Sequence, residues 1–106
     1  MIESHPLAEE RKYYFLKLIP PRASFMQDMT GDERKVMQLH VAYWQPYVEN
    51  GTVLVLGPVF DPAGGYGIAI VGVEGEDQLM ELIKWDPANG LNQYEWHPMR
   101  AVTKQG

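Results

Sequence analysis

One segment, residues 30–61, limits most strongly what this 106-residue chain can fold into. Thr30 and Glu33 have the spacing of a capping box, in which each side chain satisfies a backbone N–H at the start of a helix. Apolar residues then recur every three or four positions until an Asn-Gly pair, which is a typical helix end. The segment therefore predicts an amphipathic helix over 31–49, with His40 on its apolar face and a strand after it.

The rest of the chain supplies strand patterns on both sides of this helix and a second helix. The predicted strands are 12–19, 52–56, 66–73 and 92–99, and the second helix opens at Gly75 and carries an inward apolar stripe as far as Trp85. Residues 20–29 have no period and are predicted to be a long loop. The order β-α-β-β-α-β predicts an α+β fold of the ferredoxin-like type with a four-stranded antiparallel sheet.

Composition favours one domain over residues 1–106, with a core of about 12–100 between a short lead-in and a tail. A 45% apolar and 22% charged chain is an ordinary globular sequence. Nine basic against fourteen acidic residues give a net charge of -5 with no basic stripe, which argues against nucleic acid and anionic membrane as partners. We found no signal peptide and no apolar run of about 18 residues, so the expected location is the cytoplasm.

Two predicted strands are apolar on both of their faces. Residues 53–56 and 68–71 do not alternate between apolar and polar side chains, although a sheet covered by helices on one side only should do so. Two helices cover only one face, so the second face needs another cover. We therefore expect a homodimer packed through the sheet face, with a bound ligand or the N-terminal segment as the alternative cover.

Several short motifs, taken in order, resemble the YCII-related (YciI-like) family of small α+β proteins. They run from about residue 13 to 99 and comprise Asp28-Met29-Thr30 with Glu33-Arg34, His40-Val41-Ala42-Tyr43-Trp44, Gly51, Gly57-Pro58-Val59 with Asp61-Pro62 and Gly64, Tyr66-Gly67, Asp86-Pro87 and Pro98-Met99. The resemblance implies a ferredoxin-like fold in a dimeric α+β barrel and an active site built on a His and an Asp. Carried onto this sequence, these are His40 and Asp61, and Pro46 inside the helix departs from the family pattern.

His40 and Asp61 each have a functional and a structural interpretation. An imidazole on an apolar helix face is commonly a hydrogen-bonded core residue, but a carboxylate partner would make it a general acid or base. Asp61 would orient and charge-stabilise that imidazole, or it would simply form a turn before Pro62. Asp86, before Pro87, is interpreted as the end of the second helix.

Further residues are candidates for contact with a ligand: Arg22, Phe25, Tyr43, Trp44, Gly57 and Pro58. Arg22 could hold an anionic group or be solvated, and Trp44 could equally be a core residue. A metal site on His40, His97 and Asp61 has no close ligand spacing to support it. The glycines do not form a phosphate loop, because they lead into a strand and no Lys-Ser/Thr follows them.

The leading hypothesis from sequence is a small enzyme that needs no cofactor. His40 would act as general acid or base and Asp61 would orient it, with proton transfer, isomerisation or elimination on a small cyclic or aromatic molecule as the reaction. The alternative is a non-catalytic dimer that binds a small molecule or serves as an accessory protein. The sequence does not decide whether the chain is an enzyme.

Overall fold

The computed structural model describes residues 11–104. Within this range the order of elements is β1 (Lys12–Ile19), α1 (Phe25–Asp28), α2 (Gly31–Glu49), β2 (Val53–Val59), β3 (Tyr66–Val73), α3 (Glu76–Lys84) and β4 (Gln93–Met99). The α+β class predicted from the sequence is confirmed, as is the predicted helix 31–49. Two details differ from the prediction: the loop 20–29 contains the short helix α1, and β2 continues through Gly57 and Pro58.

The four strands form one antiparallel sheet in the order β2-β3-β1-β4. Leu16 on β1 lies opposite Ala69 on β3 and Trp96 on β4, which fixes the register at the centre of the sheet. The pairing of β2 with β3 shifts between Val53 and Val55, so one extra residue bulges from β2 there. This antiparallel sheet is compatible with a ferredoxin-like fold.

The long helix α2 begins where its capping box predicts. The Thr30 side chain accepts a hydrogen bond from the Glu33 backbone N–H at 3.1 Å, and the Glu33 carboxylate accepts one from the Thr30 N–H at 2.9 Å. The helix continues through Pro46 and ends before Gly51, whose positive φ of 87° suits a residue without a side chain. The helix therefore holds His40 in its middle turns, over the sheet.

The core lies between the helices and one face of the sheet. Its members are buried apolar side chains from β1, β2, β3, α2 and α3: Leu16, Val53, Ala69, Val71, Val73, Trp44, Leu79, Leu82 and Ile83. The opposite face carries Phe15, Ile68 and Ile70, which are half-buried. In residues 11–104, no helix has both the length and the apolar character needed to cross a membrane.

Candidate active site

The buried carboxylate of Asp86 is the polar centre on the helical side of the sheet. Asp86 is 3% exposed and follows α3, and its Oδ2 accepts hydrogen bonds from His40 Nδ1 at 2.8 Å and Trp44 Nε1 at 2.9 Å. The Tyr94 hydroxyl donates to the same oxygen. The other oxygen, Oδ1, accepts from the Ala88 backbone N–H at 2.8 Å. Two elements, α2 and β4, thus converge on one carboxylate.

The hydrogen bonds to Asp86 keep this carboxyl group ionised. Burial acts to raise the pKa of Asp86, but bonds from His40, Tyr94, the Ala88 N–H and Trp44 outweigh it, so the pKa lies below its ordinary value. Burial first, and then the charge of Asp86, raise the pKa of Tyr94, which therefore stays a neutral donor. At neutral pH the centre is an anion surrounded by donors.

This arrangement fixes the proton positions of His40. An ionised carboxylate accepts only, so Nδ1 must carry a proton and Nε2 has a free lone pair in the neutral ring. Nε2 has no hydrogen-bond partner among residues 11–104, and the side chain is 12% exposed. Nε2 is therefore the ring nitrogen whose lone pair is open to a hydrogen-bond donor.

A cavity of about 640 Å³ lies beside this pair, between α2, α1 and the β2 side of the sheet. Its wall is mostly apolar, and the polar side chains in it are those of His40, Gln45, Asn92 and Tyr94. No Lys, Arg, Asp or Glu of the described residues lines it. A space of this size, lined mainly by apolar groups and with a few polar atoms, is typical of a small-molecule site.

The carboxylate that contacts His40 is Asp86, which corrects the pairing predicted with Asp61. Asp61 is exposed in the β2–β3 connection, where its Oδ1 accepts from the Ala63 N–H at 2.9 Å. It is not among the residues that line the cavity. The physical reason is local: Asp61 forms the turn before Gly64 and faces solvent.

Arg22 also lies away from the cavity. Its guanidinium donates to Asp28 Oδ1 at 2.8 Å and forms a two-pronged contact with the Glu33 carboxylate at 3.0 and 2.8 Å. These contacts lower the pKa of Glu33 to about 2, with the bond from Arg22 as the largest cause. Arg22 therefore ties α1 to the start of α2, and its donors are already occupied by protein carboxylates.

The other predicted contact residues divide into two groups. Phe25, Gly57 and Pro58 line the cavity. Trp44 and Tyr43 do not: Trp44 is fully buried and bonds Asp86, and the Tyr43 hydroxyl donates to the Leu82 carbonyl at 2.7 Å. Burial of Tyr43 raises the pKa of its hydroxyl to about 12. Both aromatic residues therefore bond other groups of the protein and do not line the cavity.

Sequence reasoning missed Asp86 as the partner of His40, and it missed Asn92 and Tyr94 entirely as site residues. The resemblance to known motifs included Asp86-Pro87, which was the one signal that could have directed attention there. The sequence indicated only that Tyr94 belongs to a strand, and not that it contacts Asp86. In residues 11–104, no three His, Asp or Glu side chains lie close enough together to hold a metal ion.

Comparison with known proteins adds no family to this geometry. No protein-family model matches the chain, and no curated protein sequence matches it either.

Proposed function

We propose that this chain is a small enzyme without a cofactor, in which His40 transfers protons to and from an uncharged small molecule. The observation that carries the proposal is the 2.8 Å contact of His40 Nδ1 with the buried Asp86 carboxylate, in the wall of a cavity of about 640 Å³. A histidine whose other nitrogen is held by a carboxylate is a common general base. Proton transfer, isomerisation and elimination are the reactions that one such base can perform.

The absence of charged side chains from the described cavity wall supports a neutral substrate. A cyclic or aromatic ring system fits the apolar surface of Leu16, Phe25, Met29 and Leu56. Nε2 of His40 would take a proton from an acidic C–H or O–H of the ring. Asp86 would act as the positioning residue, because it sets the tautomer and compensates the imidazolium charge.

The test is exchange of ligand protons with solvent, which needs no knowledge of the natural substrate. Cyclic ketones, enones and lactones are incubated with the protein in D₂O, and deuterium uptake next to the carbonyl is followed by ¹H NMR. We expect uptake above the buffer rate with the natural sequence, and its loss in His40→Ala. His97→Ala is the matched control, since His97 is exposed on β4 and does not line the cavity.

A non-catalytic small-molecule-binding or accessory protein is the second candidate. The observation that favours it is the sharing of Asp86 Oδ2 among three donors, which is also how a buried carboxylate is satisfied in a purely structural role. If no compound exchanges above the buffer rate, or if His40→Ala exchanges as fast as the natural sequence, catalysis is contradicted and this second function stands.

We further propose that the chain is a member of the YCII-related family and forms a homodimer of the dimeric α+β barrel type through the sheet face away from the helices. Support comes from the half-buried apolar side chains Phe15, Ile68 and Ile70 on that face and from Val55, which is 53% exposed. Light scattering at micromolar concentration tests the dimer. A single species of about 12 kDa would contradict it.

A further inference from the structure

Asn92 has a buried hydrogen-bond acceptor that no residue of 11–104 satisfies. The residue is 4% exposed, it lies one position before β4, and its Oδ1 has no partner. Buried side-chain oxygens almost always have one, because leaving such a group unpaired costs free energy. An unpaired acceptor at this position therefore needs a physical explanation.

A wrong orientation of the amide does not explain it. The Asn92 Nδ2 faces the Ala88 carbonyl oxygen at 3.4 Å and the Met37 Sδ at 3.3 Å, and both of these atoms are acceptors. Turning the amide would place Oδ1 against the Ala88 carbonyl and leave Nδ2 in the unpaired position. The backbone of Asn92 is fixed as well, because its N–H donates to the same carbonyl at 2.9 Å. The oxygen is held where it is.

Asn92 lies in the wall of the cavity that His40 lines, so a ligand in that cavity can supply the partner. Asn92, Met37, His40 and Tyr94 all line the cavity. Met37, which contacts the Asn92 amide, is one helical turn before His40 on α2 and has an unbranched, adaptable side chain. Oδ1 is itself buried, so a ligand reaches it only when the adaptable Met37 side chain, which packs against the Asn92 amide, moves aside.

We infer that Asn92 Oδ1 is a specificity determinant that accepts a hydrogen bond from a hydroxyl or N–H of the cavity ligand. The ligand class is thus an uncharged, largely apolar molecule that carries at least one donor. The inference rests on the proposed small-molecule site, but not on catalysis. It concerns selection among ligands, and His40 is not required for it.

Two naphthalene derivatives that differ in one donor make suitable probes. 2-Naphthol has a hydroxyl, and 2-methoxynaphthalene replaces its hydrogen with a methyl group. Dissociation constants come from titration of the ligand fluorescence against the full-length chain. We expect 2-naphthol to bind about tenfold tighter or better, because one satisfied buried acceptor is worth about that ratio. Equal affinities for the two probes, or binding of neither at millimolar concentration, would overturn the inference.

Asn92→Leu removes the acceptor and keeps the number and branching of the side-chain heavy atoms. We expect this variant to bind both probes with similar affinity, because the preference of the natural sequence depends on Oδ1. A variant that folds and keeps the preference would overturn the inference. Gln45→Leu is the control, since Gln45 lies in the same wall but is exposed and bonds Glu49 at 3.3 Å, and it should keep the preference.

A measurement on the natural sequence decides the matter if Asn92→Leu does not fold. The side-chain carbonyl ¹³C resonance of Asn92 should move downfield with 2-naphthol and not with 2-methoxynaphthalene, and equal shifts would contradict the inference. His40→Ala separates this inference from the proposed function. It should abolish proton exchange and leave the preference for 2-naphthol, so either idea can fail without the other.

Discussion

Replacing Asp86 by Asn tests whether one carboxylate organises the site. Its Oδ2 receives His40, Trp44 and Tyr94, and its Oδ1 receives the Ala88 N–H. An amide has one oxygen only. If that oxygen keeps the three donors on the Oδ2 side, the amide NH₂ faces the Ala88 N–H. In the other orientation, three donors lose their acceptor.

The expected loss of stability is that of the orientation in which the amide oxygen keeps the three donors, because it loses the fewest hydrogen bonds. One buried N–H loses its partner at about 1–3 kcal/mol, and three remaining bonds lose the strength that the negative charge gave them. We therefore expect Asp86→Asn to lower the free energy of unfolding by about 2–4 kcal/mol at pH 7. That is a large part of the 5–15 kcal/mol typical of a domain.

The assay is urea unfolding followed by tryptophan fluorescence at several pH values. Because the folded-state pKa of Asp86 is below its ordinary value, the ionised carboxylate contributes its full stability above pH 4 or so. That contribution is lost as the pH falls through the folded-state pKa. The gap between the natural sequence and Asp86→Asn should therefore narrow below about pH 4.

The chain contains its own matched control for this experiment. Asp61-Pro62-Ala63 repeats the tripeptide Asp86-Pro87-Ala88, and in each copy the aspartate Oδ1 accepts from the alanine N–H. Asp61→Asn should change the free energy of unfolding by less than about 0.5 kcal/mol, as is usual for exposed positions. Equal losses in the two variants, or a gap for Asp86→Asn that stays constant down to pH 3, would refute the reasoning.

Two further substitutions test the scaffold that carries His40. Thr30→Ala removes the side-chain half of the capping box and should cost about 1 kcal/mol in urea unfolding, whereas Thr30→Ser should cost far less; equal costs would contradict a role for the hydroxyl. Leu79→Ala empties a fully buried position of α3 and should cost about 2–5 kcal/mol. A loss below 1 kcal/mol would mean that α3 is not part of the core.

Local patterns were sufficient for most of the scaffold. The capping box and the apolar period placed α2 at its observed bounds, and aromatic and branched residues before Pro20-Pro21 placed β1. The short helix α1 was not predicted, because four residues are too few to show a helical period of apolar residues. Its position depends on Arg22, whose bonds to Asp28 and Glu33 are interactions between side chains and not a propensity.

The cavity contacts were harder to predict because they depend on register between distant elements. His40 and Asp86 are 46 positions apart, and no spacing rule connects a helix residue to a carboxylate after another helix. Tyr94 reaches Asp86 because its strand pairs with β1, which places Tyr94 opposite Leu18 on the helical side. Such contacts depend on how all the strands and helices pack together, and no short stretch of sequence determines that packing.

The choice between Asp61 and Asp86 could not be made from local sequence, because both aspartates form the same turn. At each aspartate, the turn bond from the alanine N–H uses Oδ1, so Oδ2 remains available to other donors. At Asp61 the free oxygen faces solvent, whereas at Asp86 the end of α3 carries it into the core, where α2 and β4 supply donors. The turn and the contact with His40 are therefore compatible at Asp86, since each uses a different oxygen of one carboxylate.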